Sequence, residues 1–512
     1  MISIWRYFPA IKLESSTRKD LKAMGIDPYR YMGMSLILSF VFSLPVLVFF
    51  GVYALLAFAV FFGFFLFCPR MEMDKRAAEI ESELPFFLRS LGMLIEMGIP
   101  FQKALVIAAK GHGILQEEIR RITEDTENGM SLQRAFSSLG RYRSLNIKRA
   151  VSQVISAYEV GSSGREMKRI GDELLSIQKH RLKEYSAKSA MIGLLLIISA
   201  AVMPTFFLVY AVAGRFAFGT SISNEQIAFA MLVLFPLISV FILLMSKSIM
   251  PRSAFSGKRN FDPGLVAPGA IFVLGFLAFP GLWIAFMLIG TATAGFLIYR
   301  NYETEKKTES IEEHLPDALF SVSGMPKSAK PEDIFRIIEK GGYGALSEEA
   351  GKSGRQIEKN VGIGPVIEDL WKRNPSMMLK RACVMLEEMV HTNSLGKLSM
   401  LAEDIISAFQ IKREQAQLFS LQKYTLIFGG FLVPLILKVT IYLLENMSGL
   451  LEESAVSDAV AFSASVIPPY LIIYSTIASV AIAEAEGKRS SAPVYLLALS
   501  AASLLTFSFI SL

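Results

Sequence analysis

Long apolar runs alternate with charged stretches along the 512 residues. The apolar runs are Gly33–Phe67, Ala190–Ala213, Ile227–Met245, Leu265–Phe279, Leu282–Tyr299, Tyr424–Leu444, Ala459–Ala481 and Val494–Leu512. A helix crossing the hydrocarbon core takes about 20 residues. Gly33–Phe67 is too long for one such helix, and Pro45 and Gly51 lie near its middle, so it predicts a tight helical hairpin. Pro280-Gly281 marks a turn between the fourth and fifth runs. With two helices from the first run and one from each of the other seven, nine spans follow.

The charged stretches between the runs carry the period of amphipathic helices. In Glu83–Leu105, ELPFFLRSLGMLIEMGIPFQKAL, apolar side chains fall at Leu84, Phe87, Leu88, Leu91, Leu94 and Ile95, the i, i+3, i+4, i+7 spacing of one helix face. Gly98 and Pro100 end that helix, and Phe101–Ala109 starts another. Met167, Ile170, Leu174 and Ile177 form the stripe of a long helix running from Gly164 into the span at Ala190. The fold class that follows is all-α: a polytopic membrane protein with two cytoplasmic helical bundles. The segments are 1–32 (cytoplasmic), 33–68 (two membrane helices), 69–188 (first bundle), 189–299 (four membrane helices), 300–423 (second bundle) and 424–512 (three membrane helices).

Charge orients these elements. The chain is 52% hydrophobic and 19% charged, below the roughly one quarter of a soluble protein, and its charges are segregated. Ser246–Asp262 carries Lys247, Arg252, Lys258 and Arg259. The loop after Leu444 holds Glu445, Glu452, Glu453 and Asp458 with no Lys or Arg. Cytoplasmic loops of membrane proteins are enriched in cations. This places the N-terminus and both bundles in the cytoplasm and the C-terminus outside. The net charge of +6 then records topology, and no nucleic-acid partner is implied. Residues 1–31 are basic, with Arg6, Lys12, Arg18, Lys19, Lys22 and Arg30, and predict short helices on the membrane surface. The first run lacks the small-residue cleavage site of a signal peptide. Cys68 and Cys383 give neither a disulfide framework nor zinc spacing, and are expected as small buried apolar residues.

The first block returns after the second set of apolar runs. Ile80-Glu-Ser-Glu-Leu-Pro85 is answered by Ile311-Glu-Glu-His-Leu-Pro316, and Gly164-Arg-Glu-Met, at a nearly constant offset, by Gly396-Lys-Leu-Ser. Asp172 then falls opposite Asp404, and Arg181 opposite Arg413. Ser323-Gly-Met-Pro-Lys-Ser-Ala-Lys-Pro331 breaks the first helix of the second copy, where the first continues to Met97.

ELPFFLRSLGMLIEMGIPFQKAL, NGMSLQRAF at Asn128–Phe136 and YEVGSSGREMKRIGDEL at Tyr158–Leu174 resemble the type II secretion system F domain. That domain is a small cytoplasmic helical bundle of the inner-membrane platform in type IV pilus-like machines. Two such blocks with spans before, between and after look like the archaeal form, an archaellum or pilus platform, or like a fused pair of Tad-pilus platform proteins. Met24–Ser35, MGIDPYRYMGMS, is also similar to archaeal members. The resemblance implies no catalytic activity and no cofactor. It implies a hexameric cytoplasmic secretion ATPase, pilin-like subunits and membrane lipid as partners, and leaves room for a homodimer.

No catalytic constellation is evident. Ala350-Gly-Lys-Ser353 ends like a phosphate-binding loop but has Leu346 where that loop needs Gly, and reads as a turn and helix start. His112, His180, His314 and His391 are scattered. Gly161-Ser-Ser-Gly164 reads as an inter-helix turn in preference to an anion nest. Lys438, inside an apolar run, is expected to snorkel outward or to pair with Glu445. The remaining candidates are cationic: Arg141, Arg143, Lys148 and Arg149 around a helix start near Asn146, Arg120 and Arg121 on another helix, and Arg165, Lys168 and Arg169 on the long one. Such clusters suit an acidic partner surface, here the ATPase. The reading from another class, a secondary transporter, needs inverted repeats and a polar midplane site. The spans are nearly free of charge.

Overall fold

Apolar runs and amphipathic stripes alike fold as helix, and no strand occurs among the described residues of the computed structural model. These are 18, 21, 26–50, 53–142, 144–161, 164–218, 222–249, 283–325, 330–451, 454–485 and 492–509. The first apolar run is a hairpin of α1 (Pro28–Phe50) and α2 (Tyr53–Glu96). Phe42 packs between Phe61 and Phe65, with ring centroids 5.8 and 6.3 Å away. Unlike the separate elements read from the sequence, α2 leaves the apolar run without a break and continues through Pro69 and Pro85 into the charged block. Pro69 has no N–H for the carbonyl of Phe65 four residues earlier. The Tyr31 hydroxyl donates to that oxygen at 2.7 Å instead.

The first block is built from the end of α2, α3 (Phe101–Ala109), α4 (Gly113–Glu127), α5 (Leu132–Ser137), α6 (Leu145–Glu159) and α7 (Gly164–Ile197). Gly98 ends α2 in a left-handed conformation, φ +86°. Its N–H bonds to the Ile95 carbonyl at 2.9 Å and that of Ile99 to Leu94 at 3.1 Å, the two bonds of a glycine helix stop. Leu84, Phe87, Leu88, Leu91 and Leu94 are buried as their spacing requires, and Met167, Ile170 and Leu174 of α7 face them. Ser144 caps α6, accepting from the Ile147 N–H at 3.2 Å. The two long helices touch at glycines. A Cβ on Gly92 would lie 2.5 Å from the Gly164 carbonyl, and one on Gly171 2.9 Å from that of Pro85.

Beyond α7, a π turn (Ile198–Val202) leads to α8 (Met203–Phe218), and α9 (Asn224–Phe229) passes through a second π turn into α10 (Phe235–Ile249). The second block comprises the end of α11 (Trp283–Ser323), α12 (Pro331–Lys340), α13 (Ala345–Glu358), α14 (Ile363–Arg373), α15 (Met377–His391) and the start of α16 (Leu398–Leu451). Helices α17 (Ser454–Ala485) and α18 (Ala492–Phe509) close the chain. Met191–Val212, Asn224–Ser246, a stretch within Leu395–Met447 and Asp458–Ala483 are long and apolar enough to cross a membrane, and Ala492–Ser508 is a shorter apolar helix. The expected run Leu265–Phe279 lies outside the described residues. The break predicted after Ser323 is present, since α11 stops there and α12 starts at Pro331.

Two local expectations change, and Lys438 gains a contact. Residues 350–353 lie inside α13, so the decoy loop is helix interior and not a helix start. Cys383 is buried but Cys68 is only half-buried. The Lys438 ammonium lies 5.2 Å from the ring centroid of Phe507, an aromatic contact that charge alone does not suggest.

Candidate functional site

In each block a buried glutamate lies under a cluster of cations. Glu118 of α4 meets the Arg141 guanidinium, accepts from the Tyr142 hydroxyl at 3.0 Å and lies 3.5 Å from Arg121. Glu349 of α13, 0% exposed, accepts from Lys307, Lys352 and Arg373, each at 2.8 Å. The two clusters correspond: in the register of the sequence repeat, Glu118, Arg121 and Arg141 recur as Glu349, Lys352 and Arg373. Burial pushes the Glu349 carboxyl up, but the donors around it outweigh burial and hold it well below the usual carboxylate range.

Arg141 and Arg121 are therefore counterions of an internal carboxylate, a use that linear spacing did not reveal. Arg120 pairs along its own helix with Glu124 at 3.7 Å, and Arg169 with Glu166 at 2.5 Å. Arg149 reaches Glu173 of α7 at 2.8 Å while staying exposed. Lys168 points to Glu403 of the second block at 4.0 Å. Lys148 and Arg165 are exposed, with no ion pair among the described residues, and Arg143 lies outside them. Lys148 and Arg149 of α6 and Arg165 and Arg169 of α7 are all exposed, and Arg149 joins the two helices through Glu173.

A second arrangement, between the blocks, escaped the sequence. Arg381 of α15 is 7% exposed; its Nε donates to the Gly111 carbonyl at 3.1 Å and its Nη2 lies 3.5 Å from Glu83. Burial pushes the Glu83 carboxyl up to about 7, against the pull of Arg381, and lowers Arg381 to about 10. His112, buried edge-on to Phe87, is held well below its usual value by burial and by Arg381. Arg89 bridges the two equivalent aspartates, 2.6 Å from Asp404 and 3.3 Å from Asp172. Burial raises Asp404 to about 6, with Arg89 opposing. Lys397 meets Glu96 at 3.6 Å. The available signal was Arg89 itself, a cation inside the apolar stripe between Leu88 and Leu91.

The last helices of the blocks, α7 and α16, then run side by side toward the membrane core. The Tyr185 hydroxyl donates to Gln422 at 3.1 Å, and a Cβ on Gly193 would lie 2.9 Å from Thr425. This sequence of helices, from the α2 face bearing Phe87 through α7 into α8, is matched by one family. Residues 87–212 fit the family model described as Type II secretion system (T2SS), protein F. That stretch of the chain is therefore similar to a T2SS protein F domain. No characterised protein and no solved structure matches it. The match covers the first block from Phe87 onward and the membrane helix that continues it. Helix starts within the matched residues at Phe101, Gly113, Leu132 and Leu145 recur, close to the register of the sequence repeat, at Pro331, Ala345, Ile363 and Met377.

Proposed function

We propose that this protein is the membrane platform of a type II secretion-like or type IV pilus-like machine. It carries two F-type bundles in tandem in the cytoplasm and has no catalytic activity of its own. The archaellum and adhesive pili are the filament forms to which its tandem arrangement is similar. The observation that carries the reading is the F-domain match at 87–212, whose long helix α7 continues from the bundle into the apolar core. A 34-residue helix resists bending between its ends, so force on the bundle displaces the span. A hexameric cytoplasmic ATPase would supply that force, and pilin-like subunits would be the cargo lifted from the membrane. Matching helix starts and the repeated glutamate clusters support a tandem origin.

Two experiments test this. The purified full-length protein in lipid nanodiscs should bind a secretion-family ATPase encoded beside it and raise its rate of ATP hydrolysis. An ATPase that neither binds nor responds overturns the coupling. In a background without Cys68 and Cys383, cysteine at Ser454 should react with an impermeant thiol reagent in intact cells, and cysteine at Ser256 should not. The reverse pattern overturns the orientation.

A further inference from the structure

The two blocks dock in one direction only, leaving one copy of the docking face open. In the second block the face formed by α15 and the start of α16 is covered by the first block. Arg381 receives Glu83 and the Gly111 carbonyl, and Lys397 receives Glu96. In the register that sets Asp172 opposite Asp404, Lys380, Arg381 and Lys397 correspond to Lys148, Arg149 and Arg165. The docking cations are thus kept, charge for charge, on α6 and α7 of the F domain. There they are exposed. Arg149 has turned to Glu173 of its own block, and Asp172, the counterpart of Asp404, is already served by Arg89. Large apolar side chains stand bare at the two ends of α6, Leu145 at 78% exposure and Val160 at 79%.

We propose that this α6–α7 face docks an acidic helix of another protein, in the way that the second block docks α2. The occupied face shows what the ligand must present. Its two carboxylates come from Glu83 and Glu96 on one helix, about 20 Å apart along the axis at a rise of roughly 1.5 Å per residue. A second copy of this chain does not meet the requirement. Where α2 offers Glu83 and Glu96, the second block has His314 and Lys327 in the register of the repeat, so neither position supplies a carboxylate. The docking face needs only that the bundle stand in an aqueous compartment; it does not depend on the filament machine proposed above.

The test uses the full chain in its native membrane, with the photo-reactive residue p-benzoylphenylalanine in place of Leu145. Irradiation should join Leu145 to a peptide of a different protein. Mass spectrometry should find in that peptide a helical segment with two carboxylates spaced as Glu83 and Glu96 are on α2. Arg149→Glu with Arg165→Glu should abolish this cross-link. Arg120→Glu, on α4 of the same block, should leave it, which separates docking charge from general charge. Cross-links confined to lipid or to another copy of this chain overturn the proposal, as does a cross-link unchanged in the double variant. A cross-linked acidic protein other than an ATPase would keep this inference and count against the motor coupling.

Discussion

The Tyr470 hydroxyl of α17 donates to the carbonyl oxygen of Ala200 at 2.5 Å, across the apolar core and far away in sequence. Ala200 lies in the π turn just before Pro204, which has no N–H to offer the carbonyls behind it. Pro434 leaves the Gly430 carbonyl in the same position, and Ser503 of α18 donates to it at 2.9 Å. With Tyr31 and Phe65, three prolines in helical segments each have a hydroxyl of a neighbouring helix on a carbonyl behind them. In hydrocarbon no water can do so.

Tyr470→Phe removes the donor and keeps the ring. The buried carbonyl then loses its hydroxyl, at a cost of about 1–3 kcal/mol. Thermal unfolding of the purified protein should show the loss. Pro204→Ala restores an N–H within the helix, so the cost of Tyr470→Phe should shrink in that background. Equal costs in both backgrounds would show that the hydroxyl does not serve the freed carbonyl.

Gly164 fixes the crossing of α2 and α7. A Cβ there would run into the Gly92 carbonyl, and backbone on both sides cannot rotate away. Gly164→Ala should therefore lower stability by about 1–3 kcal/mol or more, the range for overpacking. Gly140→Ala, with nothing within 4 Å of its added carbon, is the control and should be neutral or slightly stabilising. Denaturant unfolding of the two variants decides it, and similar midpoints would remove the contact.

Much of this architecture was legible in the residues, and the unread parts share one cause. The stripe from Leu84 to Leu94, the stop at Gly98 and the run from Gly164 into the membrane follow from local period and backbone chemistry, which a sequence displays directly. The repeat of Asp172 at Asp404 was also visible. What was hidden is pairing over long separations. Arg141 looks like a surface cation until Glu118 is placed beneath it. Arg89 and Arg381 look like breaks in apolar stripes until Asp404 and Glu83 arrive from the other block. The continuity of α2 through Pro69 and Pro85 was hidden for the same reason, because Tyr31, which answers Phe65, lies on another helix.

Glu349 makes the second block sensitive to acid. Its carboxyl is held below its ordinary 4.5 in the folded protein, so it stabilises the fold above that value. The contribution is lost as pH falls through the folded value. Glu349→Gln should cost about 3 kcal/mol or more at pH 7, because Lys307, Lys352 and Arg373 lose the charge they surround. The variant should also lose less stability than the wild type between pH 5 and pH 3. Parallel melting-temperature curves over that interval would contradict the assignment.

Glu83 has the opposite sign and acts at the joint between the blocks. Its folded value of about 7 lies above the ordinary 4.5, so the folded protein holds a proton that the unfolded chain releases. Its contribution is fully present below about pH 4.5 and is lost as pH rises toward 7. The groups facing it are Arg381, which favours the charged form, Glu79, which disfavours it, the buried His112 and the backbone N–H groups of Gly113 and Leu115. Asp404, raised to about 6 beside Arg89, adds to the same trend. The joint should therefore loosen between pH 5 and pH 8. Cys383, buried in α15 with its thiol pushed up to about 12, reports on this, because α15 carries Arg381 into the joint and the thiol reacts only when that helix loosens from its neighbours. With Cys68 replaced by Ser, alkylation of Cys383 should quicken from pH 6 to pH 8 by more than the rise in thiolate alone. Glu83→Gln stays neutral throughout, so it should bring the rate back to the thiolate slope and raise the melting temperature at pH 8. A Glu83→Gln variant that labels and melts like the wild type at both pH values would show that the proton on Glu83 plays no part in holding the blocks together.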